Sequence, residues 1–131
     1  MTESSVTVEI SIGELIDKIT ILELKSERIH EPDKLANVSR ELSLLSECLD
    51  RYVPESPALS QLTKELKKVN TSLWEIEDAI RDCERKKQFD ETFIRLARSV
   101  YQTNDRRMKL KREINQITGS LLKEEKSYAS Y

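Results

Sequence analysis

Trp74, Glu77, Asp78 and Arg81 stand at i, i+3, i+4 and i+7, the spacing that gathers four side chains on one lateral face of a helix. Some twenty residues on, Arg98, Tyr101, Asn104 and Asp105 stand at i, i+3, i+6 and i+7, and Arg107 and Arg112 follow on the same segment. If the two segments pair antiparallel, these groups meet. Tryptophan and tyrosine would then wall a pocket, the Arg98, Arg107 and Arg112 guanidinium groups could fork onto a phosphate or carboxylate, and the carboxylates could orient hydroxyls. Glu23 belongs to the same question, because a helical wheel places it among Ile12, Ile16, Ile19 and Ser26. A carboxylate set among apolar residues needs a partner or acquires a raised pKa, and Arg107 is the expected partner.

The same residues fit a plainer use. Residues 75–84 hold five acidic side chains against one basic, and residues 95–112 hold seven basic against one acidic. Complementary faces of this kind fix which helices pair and in what register, although each exposed pair adds only about 0–1 kcal/mol.

Other chemistry is not signalled. His30, beside Pro32, is the sole histidine and cannot form a triad or metal cluster; there is no Gly-rich phosphate loop, H-E-x-x-H or C-x-x-C. No catalytic residue, metal ligand or cofactor is therefore assigned. A net charge of −2, from 22 basic and 24 acidic residues, gives no footprint for nucleic acid, and Asp105 and Glu113 dilute the basic stretch. No apolar run approaches the roughly 18 residues of a membrane span, and the opening MTESSVTVE has no apolar core of an export signal, so a cytoplasmic protein is expected. Cys48 and Cys83, widely spaced and on or beside apolar helix faces, read as buried free thiols.

Four amphipathic segments position these residues. Val6, Val8 and Ile10 alternate with polar residues, as in a short half-buried strand or an extended arm over residues 1–10. Ser11 and Glu14 form a capping box. Ile12, Leu15, Ile19, Leu22, Ser26 and Ile29 then step by three and four, as do Leu35, Val38, Leu42, Leu45, Leu49 and Tyr52. Pro54 closes the second run, and Ser56-Pro57 opens a third through Leu59, Leu62, Leu66, Val69, Leu73, Ile76, Ile80 and Cys83. A fourth seam, from Phe93 to Leu121, is out of phase with the third, which predicts a hairpin turn at residues 87–90; Gly119 suits the left-handed position ending that helix. The expectation is a single all-α domain over residues 1–131, with helices at about 12–29, 33–52, 57–87 and 91–118. They form an antiparallel four-helix bundle of coiled-coil-like hairpins, two helices shorter and two long. The long pair would outreach the short pair, about 45 Å against 30 Å. Ile21, Leu24 and Leu44 point off the seams, so a homodimer is expected to cover what one copy leaves bare.

The stretches SIGELIDKITILELKSERI, LWEIEDAIR, FIRLARSVYQTNDRRMKLKREIN and EEKSY resemble a family of small, functionally uncharacterised bacterial proteins, over residues 6–128. That resemblance transfers no activity. The segment Ile12-Gly13-Glu14-Leu15-Ile16-Asp17-Lys18-Ile19 is more distantly similar to the first helix of all-helical chorismate mutases, L-R-x-x-I-D-x-I, with Gly13 where their substrate-binding arginine would stand. It implies a shared helical arrangement without the pericyclic activity. Two functional expectations follow. One is a non-enzymatic interaction or accessory protein, homodimeric, with a possible protein partner. The other is a binder or enzyme for a small anionic metabolite, such as a phosphorylated sugar, a nucleotide or a chorismate-like acid, held between the first, third and fourth helices.

Overall fold

The computed structural model describes residues 3–131 and contains four helices: α1 (Ile12–Arg28), α2 (Pro32–Tyr52), α3 (Pro57–Arg85) and α4 (Glu91–Thr118). The all-α antiparallel architecture expected from the four seams is present, with two short helices and two long ones of 29 and 28 residues. Residues 1 and 2 of the expected arm lie outside the described residues. Residues 3–10 adopt no regular structure, and Val6 and Val8 are exposed. The alternation there forms no strand because a strand needs a neighbour to complete its hydrogen bonds, and among the described residues there is no other strand.

Each helix end has a local cause. The Ser11 hydroxyl accepts from the Glu14 amide at 3.1 Å, and Ser56 caps α3 in the same way through the Leu59 amide. Only half of the capping box forms at Ser11, because the Glu14 carboxylate reaches instead to Lys111. Lys87 takes a positive φ of 54° in the α3–α4 turn, and Asp90 then caps α4 by accepting from the amides of Thr92 and Phe93. Gly119 ends α4 in the left-handed region at φ 66°.

The helices do not form a square. α1 packs against all three others, α3 and α4 pair along their length, and α2 packs as a helix on α1 alone. Ile16, Leu66 and Ile114, from α1, α3 and α4, meet in the main core, which Val53 and Leu59 close at one end with Leu49 and Leu62 beside them. Because α1 is wrapped on three sides, it buries more than one stripe. Leu24, expected to face outward, is 2% exposed, and Ile21 lines a cleft with Leu24 and Trp74. Leu44 on α2 is exposed as expected. Cys83 is buried, whereas Cys48 is exposed: the one-sided packing of α2 leaves its flank in solvent.

The closest approach is at Gly13. A β-carbon there would lie 2.6 Å from the Lys111 carbonyl oxygen and 2.9 Å from Asn115 Oδ1. The backbones of α1 and α4 therefore touch through a glycine that permits the contact. Gly119, by contrast, has open space around it, so an added side chain there meets only the φ penalty. In urea unfolding, Gly13→Ala should cost about 3 kcal/mol through overpacking against backbone, and Gly119→Ala about 1 kcal/mol through the left-handed conformation. Equal costs, or the reverse order, would contradict the close approach of α1 to α4.

Candidate functional site

The polar residues that meet at the centre of the molecule come from a stripe on α1 formed by Gly13, Asp17, Thr20 and Leu24, all buried. Spacings of four, three and four keep that stripe on one face. Gly13 lies against Lys111 and Asn115, and Asp17 against Arg107, so α1 and α4 run antiparallel. Asp17 is 1% exposed. Its Oδ1 accepts from Arg107 Nε at 3.0 Å and from Asn70 Nδ2 at 2.9 Å, and its Oδ2 accepts from Arg107 Nη2 at 2.5 Å. The other Asn70 donor goes to Thr20 Oγ1 at 2.9 Å, and that hydroxyl donates to the Asp17 carbonyl. A carboxylate from α1, an amide from α3 and a guanidinium from α4 thus close on one another. The hydrogen bonds that Arg107 donates to Asp17 hold its pKa above the ordinary value against the opposing effect of burial.

One turn away lies a second buried charge. The Lys111 ammonium, 8% exposed, donates to Glu14 Oε2 at 2.7 Å and lies 2.8 Å from Glu124 Oε1. Burial alone would lower its pKa, but the Glu124 and Glu14 carboxylates outweigh it and hold the ammonium above the usual lysine value. Glu124 belongs to the segment after α4, which folds back along that helix. It is pinned further by Arg112 with Glu125 at 3.6 Å and by the Tyr131 hydroxyl, which donates to Asp105 while its ring packs edge-on against Tyr101; Lys126 pairs with Glu124 within the segment itself. At the root of this strap, Ser120 accepts from the Ile12 amide at 3.0 Å and Asn115 from the Gly13 amide at 2.7 Å. The free N–H groups that begin α1 are thus satisfied by the far end of the chain.

Two cavities flank Arg107. The larger, about 550 Å³, lies between the start of α1, one face of α4 and the strap; its lining includes Tyr101, Asn104, Arg107, Lys111, Lys126 and Tyr128. Its size suits a small molecule. The smaller, about 360 Å³, brings Trp74, Glu77 and Asp78 of α3 together with Asn104 and Arg107 of α4.

The residues singled out in the sequence are therefore divided. Trp74, Glu77, Asp78, Asn104 and Arg107 share the smaller cleft, while Tyr101, Asn104, Asp105 and Arg107 share the larger. Arg81 pairs with Glu77 along its own helix. Arg98 is exposed and has no ion-pair partner among the described residues, and Arg112 sits outside the larger cavity against Glu125. The expected pair of Glu23 with Arg107 does not form. The antiparallel register sets Arg107 level with Asp17, and Glu23, six residues and about 9 Å further along α1, turns to Lys67 of α3 at 3.8 Å. Asp17, Asn70, Lys111 and Glu124 carry the polar centre and were not singled out. The signal for the first was the Gly13, Asp17, Thr20 and Leu24 spacing, a second stripe masked by the apolar one beside it. Among the described residues no group of three histidine, cysteine or acidic side chains could hold a metal ion, and no helix is long and apolar enough to cross a membrane.

The chain belongs to a family of unknown function, DUF6165, whose sequence pattern matches residues 6–131. No curated protein and no solved structure matches it.

Arg107→Met should lose about 3 kcal/mol in urea unfolding, because it strands a buried carboxylate, and adding Asp17→Asn should recover part of that loss by removing the charge. The pH dependence has a definite sign. Lys111, and more weakly Lys126, hold the Glu124 carboxyl below its ordinary value of 4.5. Its contribution to strap docking is thus present above 4.5 and lost as pH falls through the depressed value. Amide exchange in residues 120–131 should accelerate on acidification through that window, and Glu124→Gln should flatten the acid limb.

Proposed function

We propose that this protein is a non-enzymatic, cytoplasmic helical accessory protein that works as a homodimer and presents its mixed-charge helices to a protein partner. The observation that carries the reading is the setting of α2. Its apolar stripe, Leu35, Val38, Leu42, Leu45, Leu49 and Tyr52, rests on α1 alone, and Val38 is its one buried residue. Tyr52 remains 72% exposed, and Leu44 beside the stripe 61%. A helix of 21 residues, about 32 Å long, with four of its six stripe residues only partly buried and Tyr52 exposed supports pairing with a second copy about a two-fold axis. The closed pairing of Asp17 with Arg107 and Asn70 supports the non-enzymatic part, since that buried carboxylate is committed to structural partners. Sedimentation equilibrium at micromolar concentration should give a dimer. Leu44→Glu combined with Tyr52→Asp should give a monomer of unchanged helicity, since both residues are exposed within one copy; a monomeric wild-type protein at that concentration would overturn the reading.

A second reading rests on a different observation, the 550 Å³ cavity beside Arg107 and Lys111. Arg107, Lys111, Lys126 and two tyrosines line it together with the carboxylates of Glu14, Asp105 and Glu124, so a small anionic metabolite with a flat or apolar body would bind by taking the place of one of those carboxylates on the cations. Thermal-shift measurements with phosphorylated sugars, nucleotides and chorismate test it. Stabilisation by one class supports a ligand, and none from any class, with unchanged stability in high phosphate, counts against it.

A further inference from the structure

We propose that Glu124 is a built-in stand-in for the anionic group of a ligand, and that a phosphate or carboxylate entering the larger cavity takes its place on Lys111 and releases the C-terminal strap. The inference rests on the second reading above and assigns it a site and a mode of regulation.

Three features of the cavity support the exchange. The first is the receiving cation. Lys111 is fixed from below by Glu14 at 2.7 Å, a contact independent of the strap, so it keeps an anionic partner and its place when Glu124 leaves. Arg107 adds to the same wall: Nε and Nη2 are committed to Asp17, and Nη1 has no hydrogen-bond partner among the described residues. The second is the quality of the contact to be replaced. Glu124 Oε1 is buried beside Lys111 with no aligned hydrogen bond, and its Oε2 meets Lys126 at 3.1 Å. At 2.8 Å the contact is a close ion pair, yet it gives Lys111 a single carboxylate oxygen, whereas a phosphate, with more acceptor oxygens and a greater charge, can engage Lys111 and Nη1 of Arg107 together.

The third is the strap itself. Residues 122–131 have no helix or strand, and all but Glu124 are exposed. Beyond Ser120, its attachments to the rest of the molecule are the Lys111–Glu124 and Arg112–Glu125 pairs and the Tyr131 contacts to Asp105 and Tyr101. Only the first of these is buried. Displacing it removes the one contact shielded from solvent, while Ser120 and Asn115 keep the start of α1 sealed. The strap can therefore open without unfolding the bundle.

The test uses the full chain with phenyl phosphate, benzoate and inorganic phosphate, at ionic strength matched with chloride. Calorimetry gives affinity, and limited trypsin cleavage after Lys123 and Lys126 gives strap release. Saturating phenyl phosphate or benzoate should speed strap cleavage several-fold over the chloride control. Glu124→Gln, a change in an exposed segment, should cleave faster without any ligand and bind the same probe about tenfold more tightly, as expected when an internal competitor is removed. Preference for phenyl phosphate over benzoate identifies a phosphate ester, and the converse a carboxylic acid. Binding with unchanged cleavage, and with equal affinity in Glu124→Gln, overturns the exchange while leaving a ligand site in place. Binding of no probe by either protein overturns the ligand reading itself, and the exchange with it. Lys111→Met should abolish binding; if it fails to fold, the comparison of wild type with Glu124→Gln still decides between exchange and no exchange.

Discussion

A single buried carboxylate sets the geometry of this protein. Asp17 sits in the second turn of α1, out of contact with water, where Arg107 grips both of its oxygens and Asn70 donates to one. Burying a charge without such partners costs far more than a domain of this size can absorb. The register of α1 on α4, and its rotation toward α3, therefore follow from the need to bring one carboxylate, one guanidinium and one amide to the same point. Apolar seams alone would tolerate a slip of one heptad with modest loss. The Asp17 pairing does not.

From that fixed point the asymmetry of the molecule follows. Helix α1 lies in the groove between α3 and α4 and must be enclosed, which explains why Leu24 and Thr20 are buried together with the seam residues. Its sequence neighbour α2 has no place left in the groove and lies outside, on α1 alone. The inner helix carries polar residues and a glycine against its neighbours, whereas the outer helix has an apolar stripe with half a partner. Polar groups specify position in the centre, and hydrophobic area is left over at the edge.

The helices, their order and most of their ends could be read from the chain, because each rested on a short-range rule: Ser11 and Ser56 as caps, Pro57 in the first turn, the phase break before Asp90, and Gly119 in the left-handed region. The polar centre was legible only in part. Arg107 stood out because it interrupted an apolar seam, but its partner depended on the relative shift of two helices that lie about ninety residues apart. Glu23 and Asp17 are both acidic residues near that seam, and a wheel drawn for one helix cannot choose between them. Glu124 was beyond such reasoning, since nothing in a segment without periodicity announces that it folds back onto Lys111. The failed strand at residues 3–10 has the opposite cause: its alternation is real, but a strand is defined by its partner.

The sealing of the start of α1 by Asn115 and Ser120 has a consequence for the order of assembly. Helix α1 cannot complete its own N-terminus: Ser11 caps the Glu14 amide, but the groups that take the Ile12 and Gly13 amides lie more than a hundred residues downstream. During synthesis, α1 and α2 can meet only as a loose hairpin whose Asp17 is still hydrated. The α3–α4 hairpin, joined by a short turn, forms from local contacts and presents Asn70, Arg107 and Lys111 as a ready groove. The start of α1 is thus completed only once the end of α4 is in place.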